Sequence, residues 1–264
     1  MTVTDRTVRT VLRKLNLGVQ KQFYPHLTRR VDDDVLFLNW GYEEDPPLAL
    51  ALDTGDEPYR YPIQLYHATA TQADITGKQV LEVGCGHGGG ASYLTRTLRP
   101  ASYIGLDLNG AGVEFCRRRH HVHGLSFVQG NAEDLPFPDE SCDAVINIES
   151  SCCYPHVDRF FSEVTRVLRP GGVFLYADMR QSFDCAEWDE ELADSGLHTV
   201  SWRDINAEVL RGMDGNSPRW EAVAESMVPR FLRPLVGVPV KDGSLYRDIA
   251  QGKQCYRMYH LAKD

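Results

Sequence analysis

A cluster of glycines in the segment VLEVGCGHGGG is the first feature of the sequence that could bind a ligand. Gly84, Gly86 and Gly88 follow a short apolar run and open a helix-like stretch, so the backbone can turn sharply and approach a ligand closely. Asp107 ends the next apolar run, about 20 residues later, where a carboxylate accepts hydrogen bonds from ribose hydroxyls. Together the two features predict a nucleoside site.

Alternating apolar runs and helix-like stretches predict the elements that position these residues. Five runs read as strands: KQVLEVGCG, ASYIGLDLN, LSFVQG, CDAVINIES and VFLYAD. One helix is predicted from Ala111 to His121, and Pro170 with Gly171 ends another. This order is typical of an open, mostly parallel α/β sheet covered by helices. The tail QCYRMYHLAKD alternates like a final strand, which we expect to be antiparallel to the others.

The remaining segments predict additions around this sheet. Residues 1–76 contain prolines and many aromatic residues without strand and helix alternation, so we predict an N-terminal cap followed by the sheet domain at residues 77–264. Residues from about 180 to 233 are acidic and helix-like, which predicts a helical insertion near the substrate. Amphipathic spacing near the N-terminus predicts a helix that packs on its own domain or on a partner subunit, with a membrane surface as the alternative; its apolar residues are Val8, Val11, Leu12, Leu15 and Leu17.

Composition excludes several classes of protein. The chain has 264 residues, of which 42% are hydrophobic and 25% charged, so it is globular rather than disordered. Its net charge of -9 disfavours nucleic acid and anionic lipid as partners. No segment approaches the ~18–20 consecutive apolar residues of a membrane span, and the N-terminus lacks a signal-like apolar region. Seven cysteines without paired spacing predict reduced thiols in a cytoplasmic protein.

Glu82 inside the glycine segment, together with GNAEDLPFPDESCDAV and VLRPGG, resembles the class I S-adenosylmethionine-dependent methyltransferases. The resemblance implies a Rossmann-like, mostly parallel seven-stranded sheet with an antiparallel last strand, and S-adenosylmethionine as the methyl donor. It implies that Glu82 and the glycine turn serve the methionine end of the donor, that Asp107 holds the ribose, and that Ala132 with Glu133 contacts the adenine edge. The other donor-binding residues predicted beside these positions are Leu108, Asn131 and Glu149.

A closer resemblance covers residues 32 to 180 densely and the remainder thinly. DDDVLFLNWGYEEDPP, LYHATATQ, NAEDLPFPDES, CYPH, INAEVLRG and YRMYHLAKD resemble the phthiotriolone/phenolphthiotriolone dimycocerosate methyltransferases and related fatty-acid and sugar O-methyltransferases. The resemblance implies methyl transfer to oxygen on a lipid-linked or glycosylated metabolite. It also implies that the NWGY segment, with Trp40 and Tyr42, closes over the donor with an aromatic ring facing the sulfonium, an arrangement worth about 1 to 2 kcal/mol when desolvated. The alternative is that both rings are ordinary core residues.

The catalytic base is the least determined part of the predicted site. An alcohol needs a positioned base, which we expect just after the fourth strand in IESSCCYPH. Related enzymes commonly have histidine at the position of Cys152, so this chain departs from them there. His156 is one candidate base, and Glu149, His67 or Asp178 is the alternative. A third interpretation is an acceptor that needs no strong base, such as a carboxylate, an enol, an amine or an electron-rich carbon. Because Asp178 could also bind a metal, metal dependence stays open.

These observations predict an S-adenosylmethionine-dependent O-methyltransferase that acts on a hydroxyl of a small lipid, polyketide or sugar-containing secondary metabolite. The expected partner is this small-molecule acceptor, and homo-oligomerisation is left open. Two alternatives remain: methyl transfer to carbon or nitrogen on a similar scaffold, and a methyltransferase fold that binds the donor without transferring methyl.

Overall fold

A computed structural model describes residues 35–227 and 243–264 of the chain. The amphipathic segment predicted at residues 8–17 lies outside the described residues, as does the end of the predicted insertion, at residues 228–233. Within the described ranges we find no helix with the length and apolar character needed to cross a membrane.

The core is a seven-stranded sheet in the order β3-β2-β1-β4-β5-β7-β6. Its strands are β1 (Gln79–Val83), β2 (Ser102–Asp107), β3 (Leu125–Gln129), β4 (Cys142–Ile148), β5 (Leu168–Gln181), β6 (His198–Asp204) and β7 (Gln254–Ala262). The first five pair in parallel, whereas β7 lies antiparallel between β5 and β6. The prediction of a mostly parallel sheet with an antiparallel last strand is therefore confirmed.

Helices cover both faces of this sheet. They are α1 (Arg60–Ala70), α2 (Gly89–Leu98), α3 (Gly110–Arg119), α4 (Val157–Val167), α5 (Cys185–Ala193), α6 (Asn206–Met227) and α7 (Ser244–Ala250). On one face, Phe160 and Phe161 of α4 pack edge to face against Phe174 of β5. On the opposite face, Ile63 and Leu65 of α1 are fully buried in a second apolar cluster. The sheet is thus held between two apolar layers, as expected for parallel strands.

The predicted helical insertion is wrong in one part, because it contains β6. This edge strand pairs with β7, for example Trp202 with Tyr259. All seven residues of β6 are exposed, so its sequence HTVSWRD has no buried apolar run to mark it as a strand. The helical parts of the prediction correspond to α5 and to the long helix α6.

Residues 35–76 contain no strand and pack on the rest of the chain. The Tyr42 amide donates to Tyr61 O at 3.0 Å, and the Glu43 amide donates to Glu208 O of α6 at 3.0 Å. The approach to α6 is so close that a Cβ on Gly212 would lie 2.1 Å from the Tyr42 nitrogen. The cap is therefore fixed to α6 by backbone contacts, while a domain boundary near residue 76 stays a prediction.

One pair of cysteines corrects the prediction that all seven are reduced thiols. Cys185, which begins α5, forms a disulfide with Cys255 of β7. Their separation of 70 residues gave no short spacing to recognise, and only the folded sheet brings them together. The other five cysteines are thiols.

Candidate active site

A cavity of about 610 Å³ lies beyond the carboxyl ends of β1, β2 and β4. Its wall includes Gly84 and Gly86 of the glycine turn, Asp107 after β2, and Glu149 after β4. Ligands of open α/β sheets bind at this edge because the strand order reverses there. The fold therefore brings together residues that are more than 60 positions apart in the sequence, such as Gly84 and Glu149.

The glycine turn requires backbone angles that other residues adopt rarely. Gly84, Gly86 and Gly88 have φ angles of 80°, 54° and 75°. A Cβ on Gly84 would also lie 1.9 Å from Ser150 Oγ. The turn is closed by the amides of Gly84 and Cys85, which both donate to Leu106 O, at 2.7 and 3.0 Å. Gly84 and Gly86 let the backbone itself form the cavity wall. Gly88 is not part of the wall, and a Cβ there would lie 2.9 Å from the Phe127 ring.

Asp107 is held by backbone donors at the end of β2. Its Oδ2 accepts the Gly86 amide and its Oδ1 accepts the Asn109 amide, both at 2.8 Å. Burial raises the pKa of this carboxyl, and the hydrogen bonds from these amides oppose the rise. Each oxygen keeps acceptor capacity for a further donor, which suits two neighbouring ribose hydroxyls. Leu108 lines the cavity beside it and is 40% exposed.

The segment at residues 131–133 forms another part of the wall. Asn131, Ala132 and Glu133 all line the cavity, and Ala132 is buried. Asn131 Oδ1 accepts the Glu133 amide at 3.1 Å, while Glu133 Oε1 accepts the amide of His156 at 2.8 Å. These bonds fix the segment where the adenine-edge residues were predicted.

Glu82 lies beneath the cavity and does not form its wall. Its carboxylate is fully buried and accepts the hydroxyls of Tyr66 at 3.0 Å and Tyr103 at 2.8 Å. Burial raises the pKa of Glu82 to about 7 despite these two donors. Tyr66 does line the cavity, so Glu82 reaches the site through this tyrosine. No spacing rule connects Glu82 with either tyrosine, and the sequence prediction missed both.

The roof of the cavity comes from the cap, but not from the two aromatic rings predicted to cover the donor. Leu36, Phe37, Leu38 and Asn39 line the cavity. Trp40 contributes its amide, which donates to Glu149 Oε1 at 3.0 Å and Oε2 at 3.2 Å.

The ring of Tyr42 is buried away from the cavity, with the Arg203 guanidinium 5.6 Å from its centroid. Its hydroxyl donates to Glu44 at 2.8 Å. The cation that lies over the Tyr42 ring is therefore the guanidinium of Arg203 in β6, and not the sulfonium of the donor as predicted.

Of the four predicted acid-base residues, Glu149 lines the cavity. It has a φ of 49°, a strained conformation for a non-glycine residue that is often found at functional sites. Burial raises the pKa of Glu149 to about 8, and the nearby Asp178 and Cys153 add to the rise. The ionised form of a carboxyl group with this pKa is a stronger base than an ordinary carboxylate.

The other three candidates lie elsewhere. His67 of α1 is hydrogen-bonded through Nδ1 to the Tyr93 hydroxyl at 2.9 Å, and burial lowers its pKa. His156 caps the start of α4. Asp178 is fully buried in β5, where Ser151 Oγ donates to it at 2.6 Å and the Cys152 amide at 3.0 Å. None of the three is among the residues that form the cavity wall in the described parts of the chain.

Within residues 35–227 and 243–264, no group of three or more histidine, cysteine, aspartate or glutamate side chains is arranged to hold a metal ion. The chemistry of the cavity instead suits an organic cation. Asn39, which lines it, is buried, and its Oδ1 accepts no hydrogen bond from the described residues. An amino group at the methionine end of a donor could satisfy this oxygen, while Asp107 receives the ribose.

The fold and this site define a class I methyltransferase that uses S-adenosylmethionine. Residues 81–176 match the family described as "Methyltransferase domain". The fatty-acid O-methyltransferase of Mycolicibacterium smegmatis is 54% identical over 255 residues, which cover 95% of this chain and 93% of that protein. The phthiotriol/phenolphthiotriol dimycocerosates methyltransferase of Mycobacterium tuberculosis is also 54% identical, over 93% of this chain and 92% of that protein. The chain belongs to the family of S-adenosylmethionine-dependent methyltransferases that contains these two enzymes.

A solved structure supports the same fold at lower identity. The geranyl diphosphate C-methyltransferase of Streptomyces coelicolor A3(2), in complex with Mg2+, geranyl diphosphate and S-adenosyl-L-homocysteine, has a TM-score of 0.68. It is 18% identical, over 94% of this chain and 98% of that chain. This likeness supports the class I methyltransferase architecture of the described residues.

Proposed function

We propose that the enzyme transfers the methyl group of S-adenosylmethionine to a hydroxyl of a small lipid, polyketide or sugar-containing metabolite. The names of the two mycobacterial relatives support methyl transfer to lipid substrates. The observation that carries the choice of a hydroxyl is the partly buried Glu149 carboxyl in the wall of the donor cavity. The cytoplasmic location stays a prediction, and self-association stays open.

The proposal assigns the donor to four parts of the cavity wall. The glycine turn and Asn39 hold the methionine end, Asp107 the ribose, and residues 131–133 with Leu108 the adenine side. When bound there, the donor supplies an electrophilic methyl group on a cationic sulfur. Leu36, Phe37 and Leu38 cover the site and keep water from the methyl group.

Glu149 is proposed as the base. Its carboxylate lies in the same cavity as the donor residues and takes the proton of the acceptor hydroxyl at one oxygen. The Trp40 amide, which donates to both carboxylate oxygens, orients the group for this transfer. A cationic donor in the cavity favours the ionised form of Glu149, so a larger fraction of this group is available to accept a proton when the donor is bound.

Methyl transfer with isotopically labelled S-adenosylmethionine tests the proposal. A long-chain secondary alcohol, the matching fatty acid and the matching amine are offered in separate reactions, and mass spectrometry with NMR locates the new methyl group. We expect the alcohol to give a methyl ether. A product methylated on carbon or nitrogen, or no transfer by protein that binds S-adenosylhomocysteine, would replace the proposal with one of the two alternatives.

Two variants test the base in the same assay. Glu149→Gln keeps the shape of the side chain and should lower turnover of the alcohol by about a hundredfold or more. His156→Ala, at the start of α4, is the matched control and should stay close to the wild-type rate. The reverse pattern would assign the base to His156.

A further inference from the structure

Cys152 and Cys153 form a vicinal dithiol beside the active site. They lie on a one-turn 3-10 helix, Ser151–Cys153, that follows Glu149 and Ser150. Their Sγ atoms are 3.7 Å apart, both residues carry thiols, and both are partly exposed. Cys153 also lines the donor cavity. The methyl-transfer chemistry proposed above uses neither sulfur.

The backbone that carries the two sulfurs is held in place. The Cys152 amide donates to Asp178 Oδ2 at 3.0 Å, and the Cys153 amide donates to Ser150 O at 3.0 Å. Ser151, between Ser150 and Cys152, donates its hydroxyl to the same Asp178 oxygen at 2.6 Å. The two thiols are therefore preorganised, so little conformational entropy is lost when one ligand binds both.

The sulfur separation would also suit two ligands on one atom. It is far longer than the ~2.0 Å of a disulfide bond. With bonds of about 2.3 Å to a shared atom, two sulfurs at this distance subtend an angle of about 107°, close to tetrahedral. The described residues contain no group of three side chains that could hold a metal ion. An atom bound between Cys152 and Cys153 would therefore have only two protein ligands, both of them thiols.

We propose that Cys152 and Cys153 form a binding site for monosubstituted trivalent arsenicals and related thiophilic agents that accept two sulfur ligands. In the reaction with an arylarsine oxide, each thiol forms one sulfur–arsenic bond. The two thiol protons pass to the oxygen of the arsenical, which leaves as water, so no oxidant or reductant is required. The adduct stands in the cavity wall at Cys153 and narrows the space available to donor and acceptor.

The same geometry predicts which reagents react poorly. The hydrogen bond between the two sulfurs and the burial of the group hold the pKa of the Cys152 thiol well above its usual range. A reagent that alkylates one thiolate at a time is therefore disfavoured at neutral pH, whereas a bridging reagent gains from the second, intramolecular bond.

The test is titration of the full chain with phenylarsine oxide, without reductant so that the Cys185–Cys255 disulfide stays closed. Intact mass and peptide mapping should show one bridged adduct per chain, on Cys152 and Cys153. Cys152→Ser and Cys153→Ser should each weaken retention of the arsenical by about a hundredfold, because a single sulfur loses the chelate. Cys142→Ser, a buried thiol at the start of β4, is the matched control and should retain the adduct.

A second cysteine pair gives the outcome that would overturn the proposal. Cys85 and Cys116 are also buried thiols, and Cys85 lines the cavity. An adduct mapped to that pair would contradict the assignment, as would retention that is unchanged in both serine variants. Neither result bears on the proposed methyl transfer, because the readout is the mass of the protein and not its activity.

Discussion

The carboxylate of Asp107 joins the glycine turn to the end of β2, and it also faces the cavity. Replacing it with alanine leaves the ribose hydroxyls of the donor without their partner. We expect Asp107→Ala to weaken binding by about 1 to 3 kcal/mol, or roughly 5- to 150-fold in Kd. Calorimetry with S-adenosylhomocysteine measures this, with the exposed Asp74→Ala as the control. Unchanged affinity in Asp107→Ala would remove the ribose assignment.

Glu149 should make activity dependent on pH in a defined direction. Its pKa is raised to about 8, and the groups around it are Asp178, Cys153, Tyr256 and the Trp40 amide. Only the ionised form accepts a proton, so kcat/KM of the wild type should fall as pH decreases below about 8. Glu149→Gln should have a low kcat/KM that does not fall further as pH decreases below about 8. If the same fall appears in the variant, it is caused by another group.

Glu82 should make the free energy of unfolding decrease as pH rises, whereas a paired surface carboxylate makes it increase. Its pKa rises from 4.5 to about 7 on folding, so the native state binds this proton more tightly than the unfolded chain. The wild type therefore loses about 3 kcal/mol of unfolding free energy as pH rises from 4.5 to above 7. Glu82→Gln, which cannot ionise, should lack this loss.

Urea unfolding at pH 5 and pH 8 tests the prediction for Glu82. The difference in unfolding free energy between Glu82→Gln and wild type should shift in favour of the variant at pH 8. Glu140→Gln, at an exposed position, controls for the removal of one negative charge. Parallel pH dependence of wild type and Glu82→Gln would show that Glu82 has an ordinary pKa in the native state.

At the scale of elements, the sequence predicted those parts of the fold that carry a local signal. The strands β1 to β5 are apolar runs, several of them ending in glycine or aspartate, and the runs alternate with helical spacing. The edge strand β6 lacked any such signal because all its residues are exposed. The site divides in the same way: Asp107 follows from its place after a strand, whereas Tyr66 reaches Glu82 only through the packing of α1 on the sheet. Local patterns in the sequence do not reveal contacts between distant segments.

The end of β5 shows how one element positions another. Asp178 accepts hydrogen bonds from Ser151 and from the Cys152 amide, and the buried Arg180 guanidinium donates to Ser151 Oγ at 2.8 Å. The sequence offered Asp178 as a base or metal ligand. In the structure its carboxylate holds the turn after Glu149, so we expect Asp178 to act as a positioning residue.

Asp178→Asn tests this positioning role. Loss of its charge removes the carboxylate that lies 3.6 Å from Nη1 of the buried Arg180. We expect a loss of about 3 to 5 kcal/mol in unfolding free energy, together with lower turnover. Asp143→Asn is the matched control, since Asp143 pairs with Arg169 near the other ends of β4 and β5 and is partly exposed. It should cost about 1 kcal/mol or less, and an equal cost in both variants would contradict the prediction.

At the scale of the whole molecule, the net charge and the cysteine count each led to a prediction. The net charge of -9 disfavoured nucleic acid and left small molecules as the expected partners. The seven cysteines predicted reduced thiols, yet the structure joins two of them across 70 residues. This disulfide links the start of α5 to β7, so it cross-links the part of the chain that follows the five parallel strands.

The disulfide should stabilise the whole chain measurably. Closing a loop of 70 residues restricts the unfolded state by about 4 kcal/mol. We therefore expect the double variant Cys185→Ser/Cys255→Ser to lose roughly this amount in urea unfolding without reductant, and Cys142→Ser to lose much less. Reductant should lower the wild type toward the double variant and leave that variant unchanged. Titration of the denatured, unreduced protein should find five thiols. Seven thiols and unaltered stability of the double variant would show that the pair stays reduced, as predicted for a cytoplasmic protein.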